Sequence, residues 1–485
     1  MSTTFQKLII TACMLLAISP ALFESAAHAA DSRPNILFII SDDLNNDLGT
    51  YNNHVMVTPH LDKLAKEGLQ FNRAYCQFTL CNPSRSSMLS GLYPIQTGIY
   101  GNGTPIRKRF NNIVTMPQLF KNNGYRTARV GKIYHYGVPS QIGTNGLDDP
   151  KSWDYVHNPK GIDKTKEKEI ITLIPEKYGA TLSWLSMDGD DNLQTDGLGA
   201  TETIRLLEQY TQDDFGKPFF LAFGLYRPHT PYVAPHKYFD LYPTDSITVP
   251  PIQRPRVPEA AFHRARAEQD NMTNLQGKQA IQAYRASISF MDGQVGRVLD
   301  SLDKLGLRDN TIVVFTSDHG YHMGEHGLWQ KRSLFEQSAR VPLILSTPNQ
   351  RKRGMQTNSP SELVDLYPTL ASLCGLTAPD HAVGIDLSPL LDNPDQPLKP
   401  FALTEEIVNL NNHKFKGYAI RNDRYRYVEW DEGKKGIQLF DHKNDSEEMN
   451  NLSGKPEVKE IQATMHKQLT EKLAALKAKN LDEWK

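Results

Sequence analysis

Cysteine is scarce in this chain of 485 residues, with only four, at positions 13, 76, 81 and 374. That count excludes a scaffold built from disulfides, so the fold rests on an apolar core. A chain this long can bury a large core and divide into two unequal domains. An excess of charge of either sign is also missing, with Lys+Arg 54 against Asp+Glu 55. Near-neutrality excludes a global field directed at nucleic acid or an anionic membrane surface, so attraction for an anion must come from local groups. Beyond the N-terminal segment no apolar run is long enough to span a bilayer, and there is neither internal repeat nor low-complexity tract. Neither a nucleic-acid partner nor stable membrane insertion is expected.

Residues 1–30 read as an export signal: Lys7 supplies the positive start, residues 8–16 the apolar centre, and Ala27-His28-Ala29 a small-x-small cleavage site. The mature protein is expected to be periplasmic or secreted. Ile10-Thr11-Ala12-Cys13 resembles a lipoprotein processing box, but the apolar run before Cys13 is too short for anchoring there. Export leaves Cys76, Cys81 and Cys374 in an oxidising compartment, an odd number. If Cys81 is set apart, Cys76 and Cys374 either bridge or stay buried, and the sequence leaves both open.

Apolar runs alternate with helical patterns along the chain. Residues 35–40 (Asn-Ile-Leu-Phe-Ile-Ile) form a short continuous run, the signature of a buried parallel strand. Similar runs follow near 126–130, 218–223 and 311–316, with helical periodicity at 61–68, 116–123 and 280–305. This alternation predicts an α/β sheet covered on both faces. Residues 161–199 are polar and weakly periodic, and are expected to form surface insertions. Asn393-Pro-Asp-Gln-Pro397 reads as a connection, dividing a larger domain of 31–395 from a subdomain of 396–485. Short antiparallel strands at 418–420, 425–430 and 437–440 and a helix over 457–476 make that subdomain α+β.

Chemistry concentrates at Cys81-Asn-Pro-Ser-Arg-Ser-Ser-Met-Leu-Ser-Gly91. Asn82 suits an N-cap and Pro83 a first helical position, which would set a thiol and Arg85 beside the free N–H groups of a helix start, a ready anion site. The four apolar runs are each followed by polar groups: Asp42-Asp43, Lys132 with His135, Arg227 with His229, and Asp318-His319. In an open parallel sheet ligands lie at the carboxyl ends of the strands, so these groups are expected to meet. Asp42, Asp43 and Asp318 would repel one another without a cation, and hard oxygen donors favour Ca²⁺ or Mg²⁺.

The run Cys-x-Pro-Ser-Arg resembles the signature of type I sulfatases. Blocks at 58–65, 131–135, 227–231, 317–327 and 439–441 look like sulfatase blocks in family order and extend the resemblance over nearly the whole mature chain. The closest pattern is the iduronate-2-sulfatase-like branch. That branch tends to carry a basic residue after Asp-Asp-Leu, where this chain has Asn45-Asn46. The resemblance implies an alkaline-phosphatase/sulfatase-like sandwich with a large mixed, mostly parallel sheet. It also implies oxidation of Cys81 to formylglycine (3-oxoalanine) by a formylglycine-generating maturation enzyme.

Carried over by position, the resemblance makes Asp42, Asp43, Cys81, Asp318 and His319 ligands of one divalent cation, Ca²⁺ in most of the family with Mg²⁺ as the alternative. The hydrated aldehyde at 81 attacks sulfur, with Arg85 holding it. Lys132, His229 and Lys331 clamp sulfate oxygens, His229 or Lys331 protonates the departing sugar oxygen, and His135 takes the proton that expels sulfate. Arg227, His322, Glu325, Trp329 and Arg332 lie close in sequence to these groups and are expected to face a sulfated sugar. Two other readings are a phosphoesterase or phosphonate hydrolase of the same superfamily, and a non-catalytic sulfoglycan-binding protein with Cys81 unmodified.

Overall fold

A computed structural model describes residues 33–179, 181–212 and 216–485. The expected export signal, with Cys13, lies outside them. The first apolar run becomes β1 (Asn35–Ser41), buried along its whole length. It lies inside an eight-stranded sheet with β2 (Leu69–Phe71), β3 (Arg126–Gly131), β4 (Tyr155–His157), β5 (Phe219–Gly224), β6 (Thr311–Ser317), β7 (Leu343–Ser346) and β8 (Met355–Thr357). The order is β8-β2-β7-β6-β1-β5-β3-β4. From β6 to β4 the strands run parallel, with Asn35 opposite Thr311 and Ile40 opposite Gly224, while β7 is antiparallel to β6 and β2. The four expected strands are therefore adjacent, and their carboxyl ends share one edge.

Successive side chains of β1 point to opposite faces. Leu37 and Ile39 enter a core with α4 (Thr195–Gln212) and α5 (Asn274–Lys304). Ile36, Phe38 and Ile40 enter another with α2 (Cys81–Ser90) and α3 (Met116–Asn122). The long α5 starts at a capping box, where Thr273 accepts from the Gln276 N–H and the Gln276 side chain accepts from the Thr273 N–H. On the same face α1 (Pro59–Glu67) buries Leu61, Leu64 and Ala65.

Two expectations need correction. The polar segment 161–199 is not confined to the surface. Ser183–Met187 joins Ile171–Thr172 and Tyr232–Pro235 in a three-stranded sheet, with Trp184 buried. Asp163, Thr195 and Asp196 are buried with partners, Asp163 accepting the Thr195 N–H and Asp196 the Tyr226 N–H, which composition does not reveal. The C-terminal sheet has four strands: β9 (Ala402–Leu410), β10 (His413–Arg421), β11 (Tyr425–Trp430) and β12 (Ile437–Asp441), followed by α6 (Lys459–Ala478). Strand β9 was not expected, because Glu405 and Glu406 interrupt its apolar pattern. It lies against the segment before Cys81: the Glu405 N–H donates to the Gln77 carbonyl at 2.8 Å and the Thr404 hydroxyl to the Cys76 carbonyl at 2.7 Å. Cys76 and Cys374 are both buried free thiols.

Candidate active site

The four strand ends converge as their shared edge requires. Beyond β1, Asp43 takes the left-handed conformation, φ 62°, which Asp tolerates better than most residues. Tyr284 of α5 holds this turn, donating to the Asp43 carbonyl at 2.9 Å and accepting from the Asn45 N–H at 3.0 Å. Beyond β6 come Asp318 and His319, beyond β3 Lys132 and His135, and beyond β5 Arg227 and His229. Helix α2 begins at Cys81 itself, with Leu80 as N-cap, two residues earlier than expected. The Asn82 amide instead donates to the Gly101 and Thr104 carbonyls, and Pro83 falls at the third helical position, where a backbone N–H is not required.

Arg85 organises the centre. Its Nε donates to Asp318 at 2.8 Å, its Nη2 to Asp42 at 3.2 Å, and its Nη1 to the carbonyls of Lys132 and Ile133 at 2.7 and 3.0 Å. The guanidinium thus ties β1, β3 and β6 together and holds two carboxylates, rather than residue 81. Lys132 reaches Asp42 at 2.5 Å, and Lys331 reaches Asp43 at 2.5 Å and the Cys81 Sγ at 3.2 Å. His319 Nδ1 faces the Gly320 carbonyl at 3.0 Å, leaving Nε2 3.3 Å from Sγ. His229 Nε2 lies 3.7 Å from Asp43 Oδ2.

These contacts set the ionisation pattern. Burial would raise the Asp42 carboxyl and the Cys81 thiol, but both lie well below their usual ranges, Asp42 chiefly through Lys132 and Cys81 through Lys331, Lys132 and His319. Burial pushes Asp318 up to about 6 against the pull of Arg85. Burial would lower His319, but the negative charges of Asp318, Cys81 and Asp43 together raise it to about 9. Burial lowers His135, which favours the neutral imidazole. The site therefore favours negative charge at position 81.

The carboxylates fit a metal. Ligand oxygens of Asp42, Asp43 and Asp318 lie within 4.8 Å of one another, as do single ligand atoms of Cys81, Asp318 and His319. Asp43 Oδ2 is buried with no hydrogen-bond partner among the described residues, an arrangement that is unfavourable unless a cation completes it. The oxygen-rich set suits a hard divalent ion.

A cavity of about 420 Å³ opens onto the site, with Asp43, His229, Lys331 and Arg332 in its wall. Of the expected sugar-facing residues only Arg332 lines it, and Arg332 is paired with Glu406 of β9. Arg227 is buried, with Nη2 2.6 Å from Asp163 and Nε donating to the Val233 carbonyl, so it fixes the loop of His229 instead. His322 is sealed against Ser333 at 2.7 Å, and Trp329 packs in the core. Glu325 borders a separate cavity of about 910 Å³ that contains none of the carboxylate cluster. Sequence reasoning singled out neither Glu406, which pairs with Arg332, nor Asn102, Arg264 and Gln330, which line the cavity. The paired acids in β9 were a signal for the first; the others lie in segments without periodicity.

Fold and site together define a hydrolase of anionic esters, with a carboxylate cluster that fits a divalent ion on the carboxyl edge of a parallel sheet. The chain belongs to the sulfatase family, the sulfuric ester hydrolases: the Sulfatase family model matches residues 34–376, and a second model, "N-sulphoglucosamine sulphohydrolase, C-terminal", matches 324–475. It is 33% identical to a sulfatase of Formosa agariphila over 90% of this chain and 87% of that protein. It is also 33% identical to mouse (Mus musculus) iduronate 2-sulfatase, over 84% of this chain and 87% of that one. The solved phosphonate monoester hydrolase of Agrobacterium radiobacter shares the fold, with a TM-score of 0.75 and 22% identity over 91% of this chain and 96% of that chain.

Proposed function

We propose that this protein is an exported sulfatase that hydrolyses sulfate esters of a sulfated glycan and releases inorganic sulfate. The observation that carries the reading is the placement of Cys81 at the start of α2, buried where Lys331 and His319 reach its sulfur. Similarity to a sulfatase named for iduronate supports a sugar as the alcohol part.

Converted by a maturation enzyme to formylglycine, position 81 supplies a hydrated aldehyde as nucleophile. Asp42, Asp43, Asp318 and His319 would hold a divalent cation, Ca²⁺ or Mg²⁺ by its oxygen-rich donor set, which when bound would supply positive charge to a sulfate oxygen. Arg85 keeps Asp42 and Asp318 ionised and oriented. Lys132, His229 and Lys331 bind the remaining sulfate oxygens, and because all three are fixed before substrate arrives, they stabilise developing charge without reorganising. His135, neutral through burial, accepts a proton at residue 81. His229 and Lys331 face the cavity through which the alcohol leaves, so the proton for the departing oxygen belongs to that pair.

The test is a panel of sulfated mono- and oligosaccharides with free sulfate as the readout, run beside mass spectrometry of the tryptic peptide spanning residue 81. Sulfate release together with loss of the thiol and gain of a hydratable aldehyde is expected. An intact thiol in a fully active preparation would sink the assignment of the nucleophile.

A further inference from the structure

The cavity carries more positive charge than one sulfate ester requires. Arg264, Arg266 and Arg332 all border it. Arg332 is neutralised by Glu406, which also accepts the Thr79 hydroxyl at 2.8 Å. Arg266 has Glu268 at 3.7 Å. Arg264 differs: among the described residues no carboxylate pairs with it, and its Nε is buried without a hydrogen-bond partner. It makes no hydrogen bond to residue 81 or to the carboxylate cluster. Its backbone is nonetheless fixed, since the Gln330 side chain donates to the Arg264 carbonyl and so ties this segment to the residue before Lys331. Burial and the like charges of Arg332 and Arg266 hold its guanidinium below the usual range, with Glu406 only partly opposing them.

A partly buried guanidinium with no counter-ion is unfavourable unless a ligand supplies one. Its planar fork matches a carboxylate or a sulfate, bound through two parallel N–H donors. The cavity, about 420 Å³, falls within the roughly 300–1,000 Å³ of small-ligand sites. Lys132, His229 and Lys331 are committed to the reacting sulfate.

We propose that Arg264 forms a second anion subsite that binds a carboxylate or an additional sulfate on the sugar part of the substrate. It thereby selects sulfate esters carrying a second negative charge over those with one. The proposal rests on the sulfatase reading of this cavity and adds the charge of the part of the substrate that does not react.

The experiment compares kcat/KM of wild type, Arg264→Gln and Arg264→Lys on a sulfated uronate, a disulfated hexosamine, a monosulfated neutral hexose and 4-nitrophenyl sulfate. For wild type, one of the doubly charged sugars is expected to exceed the neutral hexose ester. In Arg264→Gln that ratio is expected to fall about 10- to 100-fold, the range of a charge-assisted hydrogen-bonded pair. Arg264→Lys should recover part of it, keeping the charge and losing the fork. A fall confined to the uronate identifies the carboxylate as the ligand, and one confined to the disulfated sugar identifies the sulfate. Competition against wild type needs no variant: the unsulfated uronate should inhibit at least tenfold better than its uncharged amide, or the disulfated ligand better than its monosulfated counterpart. A selectivity ratio unchanged within about threefold in correctly folded variants, with no preference among the inhibitors, overturns the subsite and leaves the sulfatase intact. Absence of turnover by wild type on every ester overturns the sulfatase reading, and the subsite with it.

Discussion

Replacing Asp163 by Ala should damage both stability and turnover, although this carboxylate touches no group that handles sulfate. Asp163 Oδ2 lies 2.6 Å from Arg227 Nη2, with both side chains 2% exposed, and its Oδ1 accepts from the Thr195 N–H and hydroxyl at 2.9 and 2.6 Å. Arg227 in turn holds the loop of His229: its Nε donates to the Val233 carbonyl at 2.8 Å, its N–H to Asp196 at 3.0 Å, and its carbonyl accepts the Ser41 hydroxyl at 2.6 Å. Removing one partner of a buried ion pair strands the other charge, a loss of about 3–5 kcal/mol. At ~2.1 cal/mol/K per residue, unfolding 485 residues carries an entropy of about 1 kcal/mol/K, so Tm should fall by about 3–5 °C. Displacement of the His229 loop by about an ångström should lower kcat/KM on an aryl sulfate by up to ~100-fold. The double variant Asp163→Leu/Arg227→Met separates the two effects. An apolar pair of similar volume is often neutral or stabilising, so Tm should return to within about 2 °C of wild type. Activity should stay low, because the Val233 tether is gone. Scanning calorimetry and initial rates on the three proteins decide the matter. Full activity in the double variant, or an unchanged Tm in Asp163→Ala, would refute the reasoning.

Cys81→Ala should release no sulfate above the background of contaminating enzymes while keeping the wild-type Tm within about 1–2 °C, since a small side chain is replaced by a smaller one at a helix start; turnover of more than a few per cent would reject Cys81 as nucleophile. Stripping the cation should remove activity and lower Tm in proportion to RT ln(1 + [L]/Kd). Asp318→Asn, which keeps an oxygen donor, should lose less metal than Asp318→Ala by elemental analysis, whereas two tightly held ions per chain would favour a phosphoesterase. Asp292 supplies a pH test away from the site: it accepts the His60 and Leu61 N–H groups, and burial raises its carboxyl from 3.8 to about 7. The fold thus prefers the protonated acid, so its contribution is present below about pH 4 and is lost as pH rises toward 7, a change of up to about 4 kcal/mol. Urea melts from pH 4.5 to 8 should show Asp292→Asn gaining on wild type across that window; a difference that stays flat would show that burial does not govern this group.

The inner sheet was legible because a strand covered on both faces must be apolar throughout, and β1, β5 and β6 are. The polar edge was legible for a related reason: where such a run stops at Asp42-Asp43 or Asp318-His319, the polar groups that follow must lie at the strand's end. Sequence proximity was a poor guide to direction. Trp329 lies two positions before Lys331, yet it points into the core, and Arg227 lies two before His229, yet it turns back to Asp163. Strand β9 was hidden because Glu405 and Glu406 read as solvent-facing. Glu406 is sealed by Arg332 and Thr79, and the Glu405 carboxyl accepts the Ile95 N–H, partners far away in the chain. The Arg264 guanidinium has no carboxylate within ion-pair distance among the described residues, so no pairing rule could have pointed to it.

The contact between β9 and the segment before Cys81 also imposes a timetable. Residues 76–79 are held by Thr404, Glu405 and Glu406, which leave the ribosome more than three hundred residues after them. Until that late strand is made, residues 76–79 lack these partners, and so does the sulfur of Cys81, whose neighbours His319 and Lys331 also come late in the chain; in the folded protein the thiol is 0% exposed. A maturation enzyme of the proposed kind would therefore meet this side chain on a newborn or reopened chain, before its late-made neighbours close over it.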